Sequence, residues 1–475
     1  MKRHDHRFGR ASLFGGFVAV LGLSASTFAD GPFLFLPTII SFPTPHAPTT
    51  IVAGDIDLDG DPDLVVSGRG ADGLAYVLIN DEGSFGTPVA FEIGAQTDDV
   101  AIGDLDGDGL PDLVFAVRSF RGRLAVLHGR GTGGFEEPIE WRLGREPRSV
   151  IARDFDGDGL LDLAGLNHRE PEIEILINDG AGGFDRAPSV FVGGAAIGIP
   201  YPQTMEAEDL DGDGDLDLAV VCIGESRVYF VRNRGDGTFD APEGWRPTRV
   251  DGEVGGMSDL AIGDLDLDGR ADVVVPLILI GSESHLGVFK NREDPAGLRF
   301  DQDVAAPSTE LTGYAFATTL GDLDGDGDLD AVAGQAIPGP LTVLDNRTIP
   351  VSAGGDGVIT FEPPQVVAND NFFRSVITAD VDGDCDLDIV AIDLISNAIW
   401  VLRNETPQAV DCSKGFKPGK TSRSHPLSSV PPRPSHAEHL RPKDVDRDGD
   451  VDGADIALWL ESLGDRSSPD PEPAP

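Results

Sequence analysis

The chain has 475 residues, 40% of them hydrophobic, with 60 glycines, 35 prolines and only three cysteines. Such a composition excludes disorder throughout and a disulfide framework, and it fits many short strands joined by turns around a large core. A formal charge of −46 makes nucleic acid and anionic membranes poor partners.

Residues 1–29 combine Lys2, Arg3, Arg7 and Arg10 with an apolar stretch from Ala11 to Ala25 and the small-residue site Thr27-Phe28-Ala29. This is the form of a secretory signal peptide, too short to span a bilayer. No later stretch is long and apolar enough to cross one, so the mature chain is expected to be secreted or held at the cell surface. Pro32 to Phe42 follows as an isolated strand-like segment.

The pattern D-x-D-x-D-x-x-x-D then recurs seven times, starting at Asp55, Asp104, Asp154, Asp209, Asp264, Asp322 and Asp380, at intervals of 49 to 58 residues. A period of that size marks one supersecondary unit stacked on copies of itself. Each unit opens with a short apolar strand such as Thr50 to Gly54. After the loop come a β-branched run such as Leu64-Val65-Val66, a turn, and a third strand such as Ala75 to Ile79. Six third strands end at an asparagine: Asn80, Asn178, Asn233, Asn291, Asn346 and Asn404. A Gly-rich turn then leads to Phe85, Phe135, Phe184, Phe239, Phe300 or Phe361 and a fourth strand. Strand lengths and turn signals predict an all-β fold, a seven-bladed propeller of four-stranded antiparallel blades over residues 30–404. The seventh unit lacks a fourth strand, so the N-terminal segment is expected to complete it and close the ring.

Aspartate stands at fixed offsets in these loops, whereas random surface acidity would mix in glutamate. The candidate metal ligands are Asp55, Asp57, Asp59, Asp61 and Asp63 in loop 1; Asp104, Asp106, Asp108 and Asp112 in loop 2; and Asp154, Asp156, Asp158 and Asp162 in loop 3. They continue with Asp209, Asp211, Asp213, Asp215 and Asp217 in loop 4, and Asp264, Asp266, Asp268 and Asp272 in loop 5. Asp322, Asp324, Asp326, Asp328 and Asp330 form loop 6, and Asp380, Asp382, Asp384, Asp386 and Asp388 form loop 7. Hard oxygen donors at positions 1, 3, 5 and 9 select calcium over zinc or copper, and without a cation the clustered carboxylates repel. Glycine at position 6 permits the turn that wraps an ion; loop 7 has Cys385 there, which predicts a strained or weaker site. Cys222 reads as a buried small hydrophobe, and Cys385 and Cys412 as a candidate pair.

The array resembles the FG-GAP/VCBS repeats of integrin α-chain-like propellers, whose Phe-Gly and Gly-x-Pro elements are partly visible as Phe85-Gly86-Thr87-Pro88. The resemblance implies that the loop joins the first two strands of each blade and holds calcium through positions 1, 3, 5 and 9. It also implies protein or glycan ligands. Residues 405–443, rich in Pro, Ser and basic groups, read as a linker. A different twelve-residue loop follows, carrying Asp444, Asp446, Asp448, Asp450, Asp452 and Asp455, with Gly449 at its sixth position and a helical run from Ile456 to Leu463 behind it. Residues 444–465 resemble a type I dockerin repeat or half of an EF-hand pair, giving one further calcium site. A dockerin folds from two such repeats and one is present, which counts against a cohesin-like partner. Residues 466–475 read as a disordered tail.

The functional expectation is a non-catalytic, calcium-binding adhesion or recognition module. The alternative is an extracellular polysaccharide-active hydrolase or lyase with an attachment tail. Against it, repeats consume the chain before residue 405, and His128, His168 and His285 form no recognisable catalytic constellation.

Overall fold

The computed structural model describes residues 33–406 apart from 43–46, 71–72, 194–199, 248–253, 280–283, 293–297, 304–309, 312–313, 337–338 and 349–357. The signal peptide, Cys412, most of the linker, the loop from Asp444 to Asp455 and the tail lie outside the described residues.

Seven antiparallel sheets follow one another along the chain, and the described residues contain no helix. Blade 4 shows the plan: the inner strand Pro202–Glu208, then Asp217–Cys222, Arg227–Val231 and the outer strand Glu243–Trp245, each paired with the next. Blades 1, 2, 3, 5 and 6 begin at Pro48, Thr97, Pro147, Val254 and Tyr314 and keep this order, with split outer strands in blades 3 and 5 and a split inner strand in blade 5. Blade 7 contributes Phe373–Ala379, Asp388–Asp393 and Ala398–Asn404, and its fourth strand is Phe35–Ser41. The result is a seven-bladed β-propeller.

The core sits between blades rather than within them. Side chains alternate across a strand, so Leu64 and Val66 of blade 1 pack with Ile377, Val390 and Ile399 of blade 7, whereas Val65 packs with Val100 and Phe115 of blade 2. The apolar clusters therefore each belong to two neighbouring blades. Position 2 of every loop joins this core: Ile56, Leu105, Phe155, Leu210, Leu265, Leu323 and Val381 are all at most 3% exposed. Reading the loops as acidic surface turns passes over these anchors.

The asparagine at the end of the third strand has a role that the sequence reading left unassigned. Its side-chain amide donates to the carbonyl of loop position 2 in the preceding blade, from Asn80 to Val381, Asn178 to Leu105, Asn233 to Phe155, Asn291 to Leu210, Asn346 to Leu265 and Asn404 to Leu323, at 2.6 to 3.0 Å. A second donation goes to position 8 of its own loop, as from Asn233 to Leu216 at 3.1 Å. Blade 2 has Gly129 at this place, because a Cβ there would sit 2.1 Å from the Pro111 carbonyl.

Replacing Asn233 with alanine removes both donations and leaves two carbonyls short of a partner, so it should lower stability by about 2 kcal/mol. A urea midpoint equal to that of the wild type would show that the staple contributes nothing.

Candidate metal centres

Each acidic loop runs from the end of an inner strand to the start of the second strand, and the position 9 aspartate is the first residue of that second strand. Asp63, Asp112, Asp162, Asp217, Asp272, Asp330 and Asp388 are at most 1% exposed. Each uses both carboxylate oxygens locally. In loop 4, Asp217 accepts from the backbone N–H of Leu210 at 3.1 Å and from that of Asn233 at 2.7 Å. Position 1 accepts from the backbone N–H of position 6, as Asp209 does from Gly214 at 3.0 Å. In loop 4 Asp211 accepts from the N–H of Asp213 and Asp213 from that of Asp215, whereas in loops 1 and 5 the position 5 N–H donates to position 1, as Asp59 does to Asp55 at 3.0 Å.

These turns need left-handed backbone at position 6, where Gly214 has φ +96° and Cys385 has φ +76°. Loop 7 therefore carries the strain expected of a side chain in that conformation, on the order of 1 kcal/mol. Cys385 is disulfide-bonded, while Cys222 is a buried free thiol. Position 4 is left-handed as well, which the sequence reading missed: loops 1 and 5 place Leu58 and Leu267 there at φ +65° and +59°.

Folding brings positions 1, 3 and 9 together, with ligand atoms within 4.8 Å of one another in Asp55, Asp57 and Asp63, in Asp154, Asp156 and Asp162, and in Asp209, Asp211 and Asp217. Loop 2 also gathers positions 1, 3 and 5, in Asp104, Asp106 and Asp108, although the position 5 carboxylates of Asp59, Asp108, Asp158, Asp213, Asp326 and Asp384 are exposed. Burial, opposed by the backbone donors and reinforced by neighbouring carboxylates, pushes Asp63 and Asp162 up to about 6 and Asp217, Asp272 and Asp388 up to about 7. The same cause takes Asp330 to about 9. Asp57 Oδ1, Asp104 Oδ1 and Asp382 Oδ1 are buried without a hydrogen-bond donor. Crowded carboxylates with bare oxygens fit a hard divalent cation, which supplies the charge that the protein groups lack.

The loops are alike in sequence but not in surroundings. Lys290, 1% exposed, sends its ammonium onto Asp266 in loop 5. Arg347 reaches Asp324 at 2.9 Å and Asp326 at 2.5 Å in loop 6. His128 lies 3.4 Å from Asp106 and 3.2 Å from Asp112, so this histidine does join a cluster. Arg232 and Arg403 approach Asp211 and Asp382 at 3.8 and 3.7 Å. Among the described residues no basic side chain pairs with loops 1 and 3, where Ile79 and Ile177 occupy the place of Lys290. His168 stands apart, its Nδ1 2.8 Å from the Pro202 carbonyl oxygen.

A scan of protein families matches residues 57–115, 104–165, 154–220 and 209–275 to the FG-GAP-like repeat. No curated protein matches the chain. Among solved structures it is similar to an Agrocybe aegerita lectin described by its specific recognition of non-reducing terminal N-acetylglucosamine, at 19% identity over 72% of this chain and 93% of that one, with a TM-score of 0.45. A protein from Lactobacillus plantarum is similar at 15% identity over 73% of this chain and 96% of that one, also with a TM-score of 0.45. Residues 57–275 of the propeller carry four FG-GAP-like repeats.

Proposed function

We propose that this chain is an exported, calcium-stabilised recognition ring, a non-catalytic adhesion module for protein or glycan ligands, secreted or held at the cell surface. The observation that carries the reading is that the described residues between 33 and 406 belong to blades and the connections between them, so the binding surfaces are the rims and axis of one ring. Fold alone does not name a ligand; the protein or glycan class comes from the integrin-like resemblance. The pattern of residues 1–29 supports export, which brings the loops into calcium-rich surroundings.

Calcium is assigned a structural role, and the loops are unequal. Loops 1 and 3 are the strongest candidate sites, because no basic side chain among the described residues pairs with them. Loop 5 carries an internal cation in Lys290. A site with calcium at ten times its Kd stabilises the fold by roughly 1.4 kcal/mol. Asp156→Asn should therefore lower the melting temperature in calcium and change little in chelator. Asp266→Asn should destabilise in both, because it removes the negative charge that faces the buried Lys290 ammonium. Equal behaviour of the two variants in calcium and in chelator would reject the distinction.

The strand Phe35–Ser41 is assigned as the clasp of the ring. Its support is a seven-pair register with the last strand, from Phe35↔Asn404 to Ser41↔Ala398, together with Gln365 of blade 6, whose Oε1 accepts from the Phe33 N–H at 3.1 Å and whose Nε2 donates to the Phe33 carbonyl at 2.7 Å. Deleting residues 30–44 should lower the melting temperature of the whole ring in one cooperative step, and an unchanged transition would sink this assignment.

The functional reading is tested by capture from the producer's envelope and surrounding polysaccharide, with and without residues 405–475, in calcium and in chelator. Capture by the truncated ring in calcium supports it. Capture by the full chain alone moves recognition to the C-terminal element, and turnover of a captured polysaccharide makes the chain an enzyme.

A further inference from the structure

Six residues before the first aspartate of each loop, the inner strand carries a residue that does not take part in the ladder. The register shifts around Asp98, Arg148, Gln203, Phe316 and Arg374 in blades 2, 3, 4, 6 and 7. In blade 1 the shift covers Thr49 and Thr50, and in blade 5 Ser258 falls in the break between Val254–Met257 and Ala261–Gly263. A bulge re-aims its side chain, and here all seven positions line one polar cavity of about 50 Å³. The units repeat their loop aspartates faithfully, yet at this position they carry Thr49, Asp98, Arg148, Gln203, Ser258, Phe316 and Arg374. The architecture demands the bulge but not the side chain, so the chemistry of the cavity is free to answer to something other than folding.

Three guanidiniums, of Arg69, Arg148 and Arg374, and three carboxylates, of Asp98, Asp99 and Asp259, line the cavity. Asp98 is shared by Arg69, by Arg148 at 3.5 Å and by Arg118 at 3.9 Å. Asp99 already accepts from Ser149 Oγ at 2.8 Å and the Val150 N–H at 3.1 Å, and Asp259 from the Thr318 N–H at 3.0 Å. Among the described residues Arg374 has no ion pair; its guanidinium lies 4.9 Å from the centroid of the Phe316 ring. Arg69 Nη2 and Arg374 Nε are buried without a hydrogen-bond partner, as are Asp98 Oδ2 and Asp99 Oδ1, while Arg148 Nε faces Asp98. Burial lowers both Arg148 and Arg374 to about 10, which leaves them cationic at neutral pH.

Buried guanidinium donors left unsatisfied call for an acceptor. The cavity holds about four waters, which is also the room a carboxylate group needs, and the guanidinium fork matches a carboxylate in geometry and charge. The acidic loops lie at the far ends of the inner strands, roughly 20 Å away at 3.3 Å per residue. This is about two Debye lengths, so they do not repel an anion at the cavity.

We propose that the axial cavity is a receptor for a carboxylate presented along the ring axis, held by Arg374 and Arg148 at the rim opposite the acidic loops. The carboxylate belongs to a uronic acid sugar or to an acidic peptide. This deepens the recognition reading by giving it a site and a ligand chemistry.

The test titrates the full chain in calcium with sodium acetate against sodium chloride at equal ionic strength, read by calorimetry and thermal shift, followed by glucuronate oligosaccharide and an aspartate-bearing peptide. Acetate should bind saturably, and Arg374→Gln and Arg148→Gln should each weaken it at least tenfold. Arg374→Lys keeps the charge and loses the fork, so it should fall between, and it serves if Arg374→Gln does not fold. One of the two larger probes should bind more tightly than acetate and compete with it, which identifies the source. A cavity that holds water alone would show no acetate-specific heat, and that result, or equal binding by the arginine variants, overturns the proposal. Acetate binding without any envelope capture would overturn the recognition reading and leave the receptor standing; envelope capture undiminished in Arg374→Gln would remove this cavity as the recognition site.

Discussion

The structure hangs on a buried carboxylate used seven times. Asp217, fully buried, accepts from the N–H of Leu210 and from that of Asn233. It thereby fastens the start of a loop, the start of the second strand and the end of the third. Asn233 then passes the connection to the preceding blade through the Phe155 carbonyl. Taking an ionised carboxylate out of water is costly unless it is paired and hydrogen-bonded. Two backbone donors offset part of that cost, and the upward shift of Asp217 to about 7 shows that part remains. The remaining charge of each loop is what the proposed cation would offset.

A repeated loop in a closed ring does not make repeated sites. The side chain just before the third-strand asparagine leans over its own loop, and it is isoleucine in blades 1 and 3, arginine in blades 4 and 7, and lysine in blade 5. Where the side chain is apolar, no basic group among the described residues pairs with the carboxylates. Where it is Lys290, the protein supplies an ammonium of its own. The same logic operates at the axis, where one bulged position per blade converts seven similar backbones into a cavity lined by six kinds of side chain.

Much of the architecture was legible in the chain. The nine-residue acidic pattern, the period of about 50 residues and the β-branched runs behind each loop imply a ring of four-stranded blades, because each depends only on local turn chemistry and on alternation along a strand. The segment before the first loop reads as a strand, and Phe35–Ser41 pairs with Ala398–Asn404. Less visible was position 2 of the loop, since a lone apolar residue among aspartates gives no periodic signal, yet Phe155 and Leu265 are buried to 1% or less. The left-handed Leu58 and Leu267 were hidden too, because the glycine that usually reveals such a position is absent there.

The sequence by itself determined the repeating unit, its acidic loop and the number of blades, because those are set by residues within a few positions of one another. Only the tertiary structure decided which loop receives a basic neighbour, which carbonyl each asparagine reaches and which side chains meet on the axis. Those partners lie a whole blade or more apart in the chain, as Arg374 and Phe316 do, or turn on where one strand's side chains fall against a loop. Closure of the ring brings them together, and no local pattern records it.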